Sequence, residues 1–117
     1  TPDLKQLLRL LTEPDDPIVQ QYSAGVSKVC NQPRFETAVT NTVRTFNIAV
    51  RDWGHEFMYD YPSLKALLEA VGFVDVRRFK VQESDDPGLR GIERHQQSVG
   101  DFINNFESMA VEAAKPS

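Results

Sequence analysis

Between Asp60 and Val81 the chain specifies a helix, its end and a strand with little freedom left over. Asp60 can accept hydrogen bonds from the first free N–H groups, and Pro62 falls in the first turn, where its missing N–H costs nothing. Leu64, Leu67, Leu68 and Val71 then recur at helical spacing as the face to be buried. Gly72 supplies the left-handed residue that ends such a helix, with Phe73 folding back on the last turn. A strand over residues 74–82 follows at once, carrying Val74, Val76, Phe79 and Val81. Its apolar parity changes between Val76 and Phe79, which predicts a β-bulge or a strand buried on both faces. Ahead of this unit lies an aromatic turn, Asp52-Trp53-Gly54-His55-Glu56-Phe57-Met58-Tyr59.

The N-terminal half reads as helical. Thr1 as N-cap and Pro2 as first helical residue open a helix whose stripe is Leu4, Leu7, Leu8 and Leu11. Pro14 and Pro17 close it. A second helix covers Ile18 to Val29, with Val19, Tyr22, Val26 and Val29 on one side and Gly25 as a weak point. From Phe35 to Trp53, Phe35, Val39, Val43, Phe46 and Val50 have helical spacing while Thr37, Thr40, Thr42 and Thr45 favour strand. Length favours a helix, because nearly twenty residues exceed an ordinary strand. Residues 83–91 form a polar loop, residues 91–99 a short helix or irregular segment, and Phe106 to Ala113 a last strand with Met109, Val111 and Ala113 on one face. The expected fold class is therefore α+β: about four helices and a C-terminal antiparallel hairpin pairing 74–82 with 106–114. Residues 1–52 form a helical region and 53–117 the helix and hairpin, in one compact unit.

A chain of 117 residues, 40% hydrophobic and 26% charged, suits one small globular domain. A formal net charge of -4 argues against nucleic acid as partner. The one dense basic cluster, Arg77, Arg78 and Lys80, reads as a charged strand edge that discourages aggregation. Cys30 is alone, so no internal disulfide forms, and with only two His a structural zinc site is not expected. His55-Glu56 lacks the second His at i+4 that a zinc hydrolase motif needs. No apolar run approaches the roughly 18 residues of a membrane span, so no membrane partner and a cytoplasmic setting are expected.

The wording of the second half resembles that of bacterial class I methyltransferases of the type-11-like group, which use S-adenosylmethionine (SAM). Trp53-Gly54-His55 with Phe57, Tyr59 and Asp60 comes first, then Leu64, Leu67, Leu68, Gly72 and Phe73, then Glu83-Ser84-Asp85-Asp86-Pro87, Leu89-Arg90-Gly91 and Glu93. Thr1-Pro2-Asp3-Leu4 is similar to the segment that follows a central strand in that group. The resemblance implies the C-terminal part of a Rossmann-like sheet, with the last strand, Phe106 to Ala113, lying between Val74 to Val81 and a fifth strand absent from this chain. It also implies that Thr12 to Asp52 form a substrate-covering insertion, and that the SAM-binding half lies upstream of Thr1. A SAM site needs a Gly-rich turn after a strand and an acidic residue for the ribose. Neither pattern occurs, so no cofactor is expected on this chain alone, SAM being the cofactor of the parent enzyme.

Candidate site residues follow from chemistry and resemblance together. His55 can accept a proton near neutral pH, as a general base toward an O or N nucleophile, or serve a structural role against a carbonyl. Tyr59 can hydrogen-bond substrate or close over cofactor. Trp53, Arg90 and Glu93 are candidate substrate contacts, Arg90 for a carboxylate or phosphate. The alternative for Arg90 is a surface salt bridge to Glu93 or Asp86, and His95 completes that polar cluster. Asp85 and Asp86 read as turn residues. The acceptor is expected to be a small molecule or saccharide. The alternative function is a small interaction domain that self-associates, as a homodimer, through an exposed strand edge.

Overall fold

Three aspartates begin three of the helices of this chain because each offers a carboxylate to backbone N–H groups that have no helical partner. Asp3 accepts from Lys5 N–H and opens α1 (Leu4–Thr12); Asp16 accepts from Ile18 and Val19 N–H and opens α2 (Pro17–Val29). Asp60 accepts from Ser63 N–H and opens α4 (Tyr61–Ala70). Between them, α3 (Ala38–Asn47) runs on into a π-helical turn, Ile48–Asp52. The computed structural model describes residues 1–117 and continues with β1 (Val74–Phe79), α5 (Gln96–Val99), α6 (Asp101–Glu107) and β2 (Ala110–Ala114). This is a small α+β protein of six α-helices and one two-stranded antiparallel sheet. None of its helices is long and apolar enough to cross a membrane.

The core sits among α1, α2, the π turn and α6. Leu7 and Leu10, Val19, Tyr22 and Val26, Ile48 and Ala49, and Ile103 and Phe106 form one buried cluster. The Tyr22 and Phe106 rings stack at 4.2 Å. Gly25 is explained here: a Cβ on it would meet Ile103 Cδ1 at 3.1 Å, so its bareness lets α2 and α6 approach.

Several expectations need correction. The helix count is six rather than about four, because residues 96–107 form α5 and α6. Phe106 and Glu107 are therefore helical, and the last strand begins only at Ala110; Ile103 and Phe106, at i and i+3, face the core together. The first helix is capped by Asp3, not Thr1, because residues 1–3 are extended. Asp3 N–H donates to Glu107 O at 2.7 Å and Met109 N–H to Thr1 O at 2.8 Å, with a bridge between Pro2 and Ser108. Leu8 and Leu11 are exposed, and Leu10 is buried in their place.

The helix over 38–52 forms as its length implied, but its expected apolar stripe turns inward only at its end, where Phe46 packs against the core and Val50 is half-buried. Phe35, Val39 and Val43 are exposed, whereas Asn41, Thr42 and Thr45 are buried. Asn41 bonds the backbone of Phe35 and Thr37, Thr42 bonds Val39 O, and Thr45 meets a polar seam presented by α2. Ser23 Oγ lies 2.8 Å from Thr45 Oγ1, Arg34 Nη1 donates to Ser23 Oγ at 2.9 Å, and Arg44 Nη2 donates to Ser27 Oγ at 3.1 Å. Short hydroxyl side chains allow close packing and satisfy one another, which a Val or Phe there could not do. Burial and the neighbouring Arg44 guanidinium lower the Arg34 pKa.

β1 and β2 pair with Phe79 opposite Ala110, Arg78 opposite Val111, Arg77 opposite Glu112 and Val74 opposite Ala114. The expected irregularity is present, between Val74 and Arg77, where Asp75 takes φ 52°. β1 ends at Phe79 instead of residue 82, because Val81 and Gln82 turn, Gln82 with φ 69°. α4 ends as its sequence requires, with Gly72 at φ 101° and Phe73 N–H donating to Leu68 O at 3.0 Å. None of its residues is buried, and Val71 is 73% exposed, because α4 packs chiefly on β1. The buried Asp3 carboxylate joins the helices to the hairpin, accepting from Arg78 Nη2 at 2.6 Å.

Candidate functional site

A cavity of about 900 Å³ opens where β2 and the residues leading into it meet two connecting segments. One wall is the run Glu107 to Ala113 beside Thr1 and Pro2. The turn after α3 brings Trp53 and His55, and the segment joining β1 to α5 brings Val81, Glu83, Leu89, Ile92, Glu93 and His95. Both histidines of the chain therefore share one pocket. Its carboxylates are Glu83, Glu93, Glu107 and Glu112, and no lysine or arginine side chain lines it. No group of three or more His, Cys, Asp or Glu side chains is arranged to hold a metal ion.

The most constrained group is Glu107, the last residue of α6 and 3% exposed. One carboxylate oxygen accepts from the Tyr22 hydroxyl, and the other lies 2.6 Å from His95 Nε2. A buried carboxylate is tolerated when it is paired or hydrogen-bonded, and Tyr22 and His95 each partner one of its oxygens. Burial first, and then the adjacent Glu107 charge and hydrogen bond, push the Tyr22 pKa far above its ordinary value, so its hydroxyl stays a donor. The His95 ring remains part exposed at the pocket wall, with a side-chain accessibility of 44%.

The loop between Gln82 and His95 is held by its own polar groups. Gln82 Nε2 donates to Glu93 O at 2.7 Å and to Gln96 Oε1 at 2.9 Å, and Gln82 N–H donates to the Glu93 carboxylate. Arg90 Nε donates to Ser84 O at 2.7 Å, and Asp86 Oδ1 caps the turn by accepting from Gly88 N–H.

Of the residues nominated from sequence, the fold brings Trp53, His55 and Glu93 to this pocket. Trp53 is half-buried and also packs against the helical core, while His55 is half-buried and makes no hydrogen bond. Tyr59 lies outside the lining. Its ring packs at 4.6 Å against Phe57 and its carbonyl accepts from Leu4 N–H, a role in joining segments. Arg90 also lies outside, its guanidinium tied to the loop backbone, and it forms no salt bridge to Glu93 or Asp86. Asp85 pairs instead with Arg77 at 2.9 Å. Glu107, and the role of the Tyr22 hydroxyl, escaped the sequence reading. The available signal was an acidic residue in phase with Met109, Val111 and Ala113, an odd choice for a face meant to be apolar.

The sheet contains no parallel strand–helix unit with a Gly-rich turn, and the left-handed glycines Gly54, Gly72, Gly91 and Gly100 stand in separate turns. No family model matches the chain, and no curated protein or solved structure matches it either.

Proposed function

We propose that this chain is the C-terminal, acceptor-side portion of a SAM-dependent class I methyltransferase, one that methylates an O or N nucleophile and takes its cofactor on residues outside this sequence. The observation that carries the reading is the convergence of Trp53, His55 and Glu93 on one pocket. They come from two separate stretches of the resemblance, and nothing in their local spacing would bring them together. The order of elements also supports it: a capped α4, then β1, then an antiparallel β2, with Thr1–Asp3 against the residues that lead into β2. The chain alone is inactive in methyl transfer on this reading.

The lining supports one acceptor class over others. Glutamates without a balancing lysine or arginine side chain repel phosphates and carboxylates and favour neutral hydroxyl or amine groups, and Trp53 offers a flat apolar face beside them. A saccharide or a small neutral metabolite fits. A chimaera tests the reading, with a class I SAM-binding half joined ahead of Thr1 and assayed for transfer of a labelled methyl group to a panel of neutral sugars and alcohols. Transfer that is lost on blocking the pocket with Ala110→Trp supports it; a folded chimaera that binds SAM and methylates none of the panel counts against it.

A second reading has its own support. Leu67, Val71, Phe73 and Val74 are exposed on α4 and at the start of β1, and β2 pairs along one edge only. Such a surface favours self-association, and we propose a cytoplasmic homodimer for the isolated chain. Light scattering decides this: a dimer mass is expected, and a strict monomer at high concentration opposes it.

A further inference from the structure

We infer that His95, held by Glu107 and Tyr22, is the proton-accepting group of this pocket, and that it serves a neutral hydroxyl-bearing acceptor. The inference rests on reading the cavity as an acceptor pocket, and it moves the base from His55 to His95.

The geometry dictates the chemistry. An ionised Glu107 can only accept, and one of its oxygens already accepts from Tyr22. The 2.6 Å contact at the other oxygen therefore requires His95 Nε2 to carry the proton. That choice leaves Nδ1 with a free lone pair, and no protein group hydrogen-bonds to it. When an acceptor O–H gives its proton to Nδ1, the imidazolium forms in contact with a carboxylate buried beside it, which stabilises the new charge. Tyr22 cannot pass its own proton on, because burial and Glu107 keep the hydroxyl protonated. Tyr22 and Glu107 are thus positioning residues. His55 has no partner to set its tautomer. The other ionisable side chains sharing the cavity are Glu83, Glu93 and Glu112, and the Thr1 amino group is beside them. Those carboxylates further favour a positive imidazolium over an anionic ligand.

The test needs neither cofactor nor natural acceptor: hydrolysis of p-nitrophenyl acetate by the whole chain. Here the proton of a water molecule goes to His95 Nδ1, the water oxygen attacks the ester carbonyl, and p-nitrophenolate leaves. His95→Gln should lower the rate roughly tenfold, a small part of what a well-placed base can supply. His55→Gln should change it less than about twofold, for want of an oriented lone pair. Glu107→Gln, checked for folding by circular dichroism, should lose most of the same rate and shift the pH profile with His95 still present. If that variant unfolds, Tyr22→Phe stands in, with a smaller loss expected. The rate should fall in D2O, as transfer of a proton demands. A wild-type rate in His95→Gln, equal losses in the two histidine variants, or a rate indifferent to D2O would overturn the assignment. None of these outcomes depends on methyl transfer, so failure here is distinct from failure of the chimaera.

Discussion

Replacing Tyr22 with Phe removes one hydroxyl and nothing else. The ring keeps its 4.2 Å stack on Phe106 and its place in the core, so no cavity opens. What is lost is a hydrogen bond to a buried carboxylate, and Glu107 is left with His95 as its remaining partner. Hydrogen bonds to charged groups are worth about 1.5–3 kcal/mol, and orphaning a buried acceptor puts the cost in the upper part of that range, about 2–3 kcal/mol. The pH dependence has a definite sign. The Tyr22 pKa is raised in the folded state by burial and Glu107. Its stabilisation is fully present below the unfolded tyrosine pKa of about 10 and is lost as pH rises above it, because the unfolded chain gives up a proton that the folded one retains. The slope is about 1.4 kcal/mol per pH unit, so by pH 11 the gap between wild type and Tyr22→Phe should shrink by about 1.4 kcal/mol. Urea unfolding at pH 7, 10 and 11 measures both effects. A cost below about 0.5 kcal/mol at pH 7, typical of a neutral surface change, or a gap that stays constant to pH 11, would refute the buried Tyr22–Glu107–His95 arrangement.

Asp3 caps α1 and holds Arg78 of β1 from a buried position. Asp3→Ala should therefore destabilise by about 2–4 kcal/mol, a cap of about 1 plus a charge-assisted bond, with Arg78→Ala costing less and the double-mutant cycle showing coupling. Urea denaturation of the four proteins checks it, and additive single effects would contradict it. The Asp60 carboxyl is held below its ordinary pKa by the Ser63 hydrogen bonds, so its stabilisation of α4 is present above the usual carboxylate range and is lost as pH falls through the lowered value. Since α4 buries none of its residues, its amides should lose hydrogen-exchange protection on acidification before those of α2, and α2 loosening first would count against this.

What was legible in the sequence was local. The stretch from Asp60 through Gly72-Phe73 to β1 folds as its caps and its left-handed glycine require, because those signals act within one or two turns. The face of α3 was only partly legible: of the apolar stripe, Phe46 and Val50 are partly buried while Phe35, Val39 and Val43 are exposed, and the buried places go to Thr45, which meets Ser23 of α2, and to Asn41 and Thr42, which bond to their own segment. α6 was missed because its seven residues give only Ile103 and Phe106 as an inward pair. The pocket shows the same division. Trp53, His55 and Glu93 could be nominated from their surroundings, but Arg90 is tied down by the Ser84 carbonyl, a partner that no spacing rule supplies. The Tyr22–Glu107 contact joins residues 85 positions apart, a distance over which periodicity carries no information.

Calorimetric titration of S-adenosylhomocysteine into the 117-residue chain tests most directly the proposal that these residues build an acceptor pocket and leave the cofactor to other residues. No saturable heat is expected at millimolar ligand. Clear one-to-one binding would contradict it, because it would mean that the pocket beside β2 holds the cofactor itself.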